Sequence, residues 1–458
     1  MPFANTRFHA VGQGCFYSGE IHCSPNSSPL RIVYDCGSVT PGNALEREVS
    51  SFQQLVHDAK LDVLVLSHLD ADHVNGLSLL LDNGLTAENV FLPYLTPAQR
   101  AIAAAGAGAE ADPDYFELLA DPVGFLEGRG VANIVFVNGG DDDENQNSEQ
   151  DLPPFEPTGD NGGPPNLGDL EDDIHGKSFF HRGEERKTSS ISGQVTQGTH
   201  IPNTSQRSAA QDARPPQKAK LHFKQDRNTF RLTRCWQGKF FHRDDMRLPV
   251  SSISGALDFT IGPGDSTSVQ RYKRFLAAVH DQFGTLDPGR LVLAIRSEGD
   301  RKKLRDCYHH ILGNHNDVSL ALWHAPIPFP ARTRITSERL IRGFRPEGPW
   351  KNSNGGTLLT GDLTFTDAVM DKLEAHLGRQ LKQSAILEVP HHGSLRSWNP
   401  RLLDMMQPGA LSIISAGSRN IYNHPHGAVV HSIETKSGTN KWFQSSERTM
   451  VEMHIETS

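Results

Sequence analysis

The chain has 458 residues, 36% hydrophobic and 22% charged, with a formal net charge of -9 and a mean hydropathy of -0.46. That length suits one large domain with an insertion, or two or three ordinary domains, and an acidic average argues against strong overall affinity for nucleic acid, which relies on clustered Lys and Arg. No window approaches 18 consecutive apolar residues and the first seven residues lack the basic-then-apolar pattern of a signal peptide, so the expectation is a cytoplasmic protein without membrane association.

In chain order, residues 31–36 read as a strand, 44–60 as a helix and 61–67 as a second strand. A helix is predicted over 74–81 with its N-terminus at Asp72, where a carboxylate suits the helix dipole. Strands follow at 89–94 and 133–138, joined by an Ala-rich helical region over 97–126. Between about 140 and 220 Gly, Pro, Asp, Asn, Ser and Gln dominate, a composition that cannot offset its ordering entropy by apolar burial and predicts a flexible insertion. The stretch from Arg207 to Arg247 is by contrast rich in basic residues. Two segments recur: Gly176-Lys177-Ser178-Phe179-Phe180-His181-Arg182 as Gly238-Lys239-Phe240-Phe241-His242-Arg243, and Ser189-Ser190-Ile191-Ser192-Gly193 as Ser251-Ser252-Ile253-Ser254-Gly255. Two copies make no solenoid. Patterning resumes with a strand at 257–261, a helix at 268–283 and strands at 319–323, 356–363, 384–389, 410–416 and 450–455, with 399–406 as an intervening helix. The expected organisation is therefore 1–140, an insertion over 141–255 that is acidic and Pro/Gly-rich and then basic, and 256–458. Five cysteines (Cys15, Cys23, Cys36, Cys235, Cys307) without a Cys-x-x-Cys pair indicate neither a disulfide framework nor a zinc ribbon, and read as small buried hydrophobes.

The chemistry concentrates where the strand 61–67 runs out. His68, Asp70, Asp72 and His73 place four metal-ligand types within six residues, and imidazole with carboxylate is the donor mixture that a hydrolytic Zn²⁺ or Mn²⁺ centre uses.

This His-x-Asp-x-Asp-His run followed by Gly76 resembles the His-x-His-x-Asp-His motif of the metallo-β-lactamase superfamily, with Asp70 in place of the second His. Val11-Gly12-Gln13-Gly14 and Arg31-Ile32-Val33-Tyr34-Asp35-Cys36-Gly37 resemble its opening segments. Leu358-Leu359-Thr360-Gly361-Asp362, Val389-Pro390-His391-His392-Gly393-Ser394 and Asn420-Ile421-Tyr422-Asn423-His424-Pro425 are similar to later ones, and the ordered set is most like the hydrolase domain of ComEC-type competence DNA-uptake proteins and their soluble relatives. The resemblance implies an α/β fold of the metallo-β-lactamase-like αββα sandwich type, interrupted by a long, partly disordered insertion.

It further implies two divalent ions, Zn²⁺ or Mn²⁺, with His68, Asp70, Asp72 and His73 as the first cluster, Asp362 as the bridge and His391 or His392 completing the shell of the second ion. A hydroxide between the ions would be oriented by Asp72 or Asp362. His392 and His424 are further catalytic candidates, and Ser394, Tyr422 and His424 would face the substrate. Asp35 is expected to brace the ligand loop, and His324 is a candidate for the superfamily's third-motif His. Fewer imidazoles and more carboxylates favour a harder ion, which makes Mn²⁺ a competitor of Zn²⁺. Three functions follow as expectations. The first is a phosphodiesterase or nuclease acting on nucleic acid. The second is a hydrolase of a small phosphoester or another ester or amide, because the fold hosts many reactions. The third is a regulatory component of a bacterial defence system that recruits a protein partner through the insertion.

Overall fold

The computed structural model describes residues 1–56, 60–82, 84–95, 97–107, 111–138, 219–225, 229–233, 235–243, 260–263, 267–284, 288–308, 319–327, 331–340, 343–345, 355–436 and 442–457. Strands β1 (Phe3–Phe8), β2 (Phe16–His22) and β3 (Leu30–Cys36) lead into helix α1 (Ala44–Val56) and β4 (Leu61–Val65). Two short helices, α2 (Ala71–Val74) and α3 (Leu77–Leu81), precede β5 (Ala87–Pro93), α4 (Pro97–Gly106), α5 (Pro113–Ala120), α6 (Pro122–Glu127) and β6 (Asn133–Asn138). Then come β7 (Lys220–Gln225), β8 (Phe230–Thr233), β9 (Trp236–Phe241), α7 (Thr267–Phe283), α8 (Pro288–Arg296) and α9 (Glu298–Tyr308). The last part holds β10 (Ala321–Pro326), β11 (Ala331–Leu340), β12 (Gly343–Arg345), β13 (Gly356–Leu359), α10 (Asp367–Leu381), β14 (Ser384–Glu388), a 3-10 turn (Pro390–Gly393), α11 (Arg401–Met405), β15 (Leu411–Ser415), α12 (Gly427–Lys436), β16 (Trp442–Ser445) and β17 (Thr449–Thr457).

Two sheets form. One has the order β12-β11-β17-β1-β2-β3-β4-β5-β6-β7 and the other β16-β15-β14-β13-β10-β9-β8. Side chains alternate across each strand, and that alternation builds the layers. In β3 to β6, Ile32, Tyr34, Val63, Val65, Phe91, Val135 and Val137 meet Leu322, Leu359, Ile386, Leu411 and Ile413 of the second sheet in one buried cluster. Their neighbours Val33, Leu64, Val90 and Ile134 face the opposite way and pack with residues of α1 and of α3 to α9. On the far side, Trp323, Leu358 and Leu387 pack with Leu373, Leu377, Leu402 and Val429 of α10 to α12. The fold is an αββα sandwich.

Both sheets run parallel where it matters for chemistry: β3 to β7 in the first and β13 to β16 in the second. Parallel strands deliver their carboxyl ends to one edge, where ligand sites of open α/β sheets form. The two edges are joined there, since Leu320 N–H donates to Ser67 O at 2.7 Å and Tyr34 Oη donates to Leu320 O at 2.9 Å.

Several expectations need correction. The helix expected over 74–81 is two helices, because Gly76 N–H donates to Cys36 O and the Asn75 side chain pairs with the backbone of Ser38, pinning the chain to the end of β3. The strand expected to end at Asp362 ends at Leu359, leaving Asp362 on a turn. Between β13 and β14 lies a helix that was not expected, α10, N-capped by the Thr366 side chain on Val369 N, whereas the helix expected over 399–406 is present as α11, after the His-His turn. Of the strand expected at 257–261, residues 257–259 lie outside the described residues and Thr260 and Ile261 are coil. Residues 139–218, with one copy of each repeated segment, also lie outside them. The basic half of the expected insertion contributes β7 to the first sheet and β8 and β9 to the second, and Trp236 there is wholly buried. Cys23 and Cys235, which the spacing left unpaired, form a disulfide between the end of β2 and the start of β9; a separation of 212 residues gives no local signal.

Candidate metal centre

Backbone geometry brings the ligand candidates together. Gly37, just past β3, lies so close to α2 that a Cβ there would meet the backbone of Asp72 and His73 at 2.6 Å, so its lack of a side chain lets the motif helix seat on the strand. On the other sheet, His391 and His392 adopt left-handed φ of 50° and 54° and Gly393 follows at 80°. Two non-glycine residues held there cost about 1–3 kcal/mol each. At Gly393 a Cβ would meet Pro425 at 2.7 Å, so the turn also packs against the loop that carries His424.

Asp362 is at the centre, buried to 1% exposure. Its Oδ1 lies 3.1 Å from His73 Nε2 and 3.7 Å from His392 Nε2, and His392 Nε2 is 3.2 Å from Asp72 Oδ2. Donor atoms of Asp72, His73, Asp362 and His392 all fall within 4.8 Å of one another. Its Oδ2 lies 3.3 Å from His391 Nε2 and 3.9 Å from His68 Nε2, with Asp70 Oδ2 3.8 Å from the same His68 nitrogen. Four imidazoles thus surround one carboxylate, with Asp72 beside His392 and Asp70 beside His68, and both His391 and His392 reach it, one on each oxygen.

The outward ring nitrogens decide what the inward ones can do. His73 Nδ1 donates to Asp35 Oδ2 at 2.7 Å, and His392 Nδ1 donates to Ser415 O at 2.6 Å. Ser67 Oγ donates to Asp35 Oδ2 at 2.6 Å, so it accepts from His68 Nδ1 at 2.9 Å. His391 Nδ1 meets Ser397 Oγ at 3.0 Å. All four rings therefore turn Nε2 toward Asp362, and buried His68 Nε2 has no hydrogen-bond partner among the described residues. Inward imidazole lone pairs beside carboxylates, each ring fixed from behind, are what a divalent ion takes as ligands. The donor set fits such an ion.

Electrostatics agree. Burial alone would raise the Asp362 carboxyl, but His391, His73 and His392 outweigh it and hold it well below the ordinary range; His392 and His73 do the same for Asp72. Burial would lower His73, yet Asp362 and Asp35 raise it well above its usual value, and His392 rises for a like reason through Asp362 and Asp72. The buried carboxylates thus favour positive charge at this point. A second grouping, Cys15 with Asp35 and His73, offers no free donor set, since His73 Nδ1 is committed to Asp35 and burial pushes the Cys15 thiol well up.

Residues 31–88 match the metallo-beta-lactamase superfamily. No curated protein matches the chain. The superfamily match covers Asp35, Ser67 and the motif from His68 to His73, and with the cluster around Asp362 it supports a metal-dependent hydrolase that binds divalent metal.

The remaining candidates are placed as follows. His424 is half-buried with its ring 5.6 Å from that of His391, and burial, with His392 and His391 beside it, lowers it to about 4. Tyr422 stacks on His424 at 5.9 Å and is 54% exposed. Asn420 holds their loop, donating to Gly417 O and His424 O and accepting from Tyr422 N and His424 N. Ser394 closes the His-His turn through its backbone, donating to His391 O and accepting from Trp398 N. His324 is a correction: it lies in the core, donating from Nε2 to Tyr17 Oη at 3.0 Å and accepting from Trp236 Nε1 at Nδ1 at 3.1 Å. Burial lowers it to about 3, so it is a neutral structural residue. Sequence reasoning missed Ser67, whose only signal is its place before His68, and the braces Ser397 and Ser415, which carry none.

Asp35 accepts from Ser67 N and Ser67 Oγ as well as from His73. Asp35→Asn should retain the fold and lower metal affinity about 10–100-fold, as loss of a ligand's outer partner does. Competition with a chromophoric chelator measures it.

Proposed function

We propose that the chain is a metal-dependent phosphodiesterase acting on nucleic acid, with two divalent ions, Zn²⁺ or Mn²⁺. The observation that carries this reading is Asp362 presenting one oxygen to His73 and His392 and the other to His68 and His391, with Asp72 beside His392 and Asp70 beside His68. Bound there, such ions supply Lewis acidity toward a phosphoryl oxygen and lower the pKa of water. Asp70 adds oxygen where an imidazole would add nitrogen, which favours the harder Mn²⁺.

The chain's own residues do the rest. Asp72 or Asp362 orients the attacking water and accepts its proton. Gln13 Nε2 donates to His424 Nδ1 at 3.5 Å, which leaves His424 Nε2–H free to donate to a phosphate oxygen or a leaving oxygen. Tyr422 beside it offers an exposed ring for a base to stack on. The motif order resembling ComEC-type DNA-uptake hydrolases supports nucleic acid over a small metabolite; with a net charge of -9, strand binding rests on local basic groups, and the part they supply weakens with salt.

The test is cleavage of labelled single- and double-stranded DNA, RNA and bis(p-nitrophenyl) phosphate with Mn²⁺ or Zn²⁺, wild type against His68→Ala. Metal-dependent turnover of a nucleic acid, lost in the variant, is the expected result. Turnover of the generic diester alone favours the small-phosphoester reading. No turnover with metal bound favours another ester or amide, or a defence-system component that a protein partner activates through the insertion. Among the described residues no helix is long and apolar enough to cross a membrane. A cytoplasmic location is part of this reading, although a Cys23–Cys235 disulfide better suits an oxidising compartment.

A further inference from the structure

Beneath the ligand cluster lie two buried groups with no ligand role, Cys15 and Glu388, 1% and 3% exposed. Glu388 ends β14. Its Oε2 accepts from Thr360 N at 2.9 Å and Gly361 N at 3.2 Å, the two backbone amides immediately before Asp362. The Thr360 hydroxyl donates back to Glu388 O at 2.9 Å, and Gly361 O accepts from His391 N at 3.0 Å. The turn bearing Asp362 thus hangs on one carboxylate and is tied to the His-His turn.

The other oxygen reaches the opposite sheet. Glu388 Oε1 accepts from Cys15 Sγ at 3.0 Å, while Cys15 N–H donates to Asp72 O at 3.1 Å and Cys15 O accepts from Gly37 N at 2.9 Å. A chain of hydrogen bonds therefore runs from the backbone of Asp72 through Cys15 and Glu388 to the turn of Asp362, across 373 positions of sequence between Cys15 and Glu388.

We infer that Glu388 and Cys15 are a positioning pair, setting the spacing between the ligand loops of the two sheets and so the distance of Asp72 from Asp362. The inference rests on the metal-site reading above. A carboxylate suits the task because it accepts from both amides with one oxygen and the thiol with the other, and a buried acceptor group so satisfied is rigid. Small errors in ligand placement weaken metal binding well before they unfold a protein.

The experiment compares wild type, Glu388→Gln, Cys15→Ala and Cys15→Ser, each freed of metal. Co²⁺ and Mn²⁺ affinities are measured by chelator competition, the visible spectrum of the Co²⁺ form is recorded, and thermal unfolding is followed on the same metal-free samples. Glu388→Gln and Cys15→Ala should bind about 10–100-fold more weakly and shift the Co²⁺ bands. Cys15→Ser, which keeps a donor, should recover most of the affinity. Lowered melting temperatures with unchanged affinity and spectrum would make the pair merely structural and overturn the inference. Should Glu388→Gln fail to fold, the difference between Cys15→Ala and Cys15→Ser decides, and its absence counts against the pair. Wild type that binds neither ion overturns the metal-site reading and this inference together, whereas wild-type binding matched by all variants overturns only the latter.

Discussion

Asp362→Ala should reduce hydrolysis at least about 10³-fold, on the order of 4 kcal/mol of lost barrier lowering, and should lower bound metal while the circular dichroism spectrum stays that of the wild type. Asp362 is the one candidate that faces both halves of the cluster, so its removal leaves two groups of donors with nothing shared between them. The outward nitrogens of His73 and His392 keep their partners, Asp35 and Ser415 O, so the rings stay anchored and the fold is spared. Asp72→Ala should follow the same pattern with a smaller loss, since it serves only the side that His392 and His73 share. Metal content by mass spectrometry and initial rates decide the matter, and full activity in Asp362→Ala would remove the basis of the functional reading.

Trp236→Ala should destabilise the protein by about 3–5 kcal/mol, the range for truncating a buried aromatic residue. The indole is wholly buried, and its Nε1–H donates to His324 Nδ1, which would lose that donor inside the core while Nε2 keeps Tyr17. A residue in a peripheral insertion would give a change near zero. Chemical denaturation of the two proteins therefore tests whether the segment carrying β8 and β9 belongs to the sandwich as its pairing with β10 implies.

How much of this was legible in the sequence differs element by element. The motif from His68 to His73 announces itself because four ligand types crowd a strand end, and Asp362 and the His391-His392 pair follow by order along the chain. The central strands are equally local: β3 and β4 are strand-length, largely apolar runs of seven and five residues, buried almost throughout. Long-range facts were not legible. Nothing in Trp236 or Cys235 says that a basic stretch after a Pro/Gly-rich run returns to pair with β10, and nothing in His324 says that Tyr17 and Trp236 enclose it. Between His391 and His392 the sequence could not choose, because a consecutive pair points opposite ways in a strand but converges when both residues turn left-handed. The break between α2 and α3 was hidden likewise, since the partner of Gly76 N–H is a strand-end carbonyl 40 positions earlier.

The left-handed turn also governs which substitutions are informative. Alanine at 391 or 392 would keep the left-handed penalty without the contacts that hold the ring, so the backbone could relax and carry its neighbour away with it. A loss of activity would then mix a missing ligand with a misdirected one. Asparagine tolerates this region better than other side chains, so His391→Asn and His392→Asn should preserve the path of the main chain while deleting one imidazole at a time. The conformation of the turn thus separates two questions, where the chain goes and which ring binds, that an alanine scan would merge.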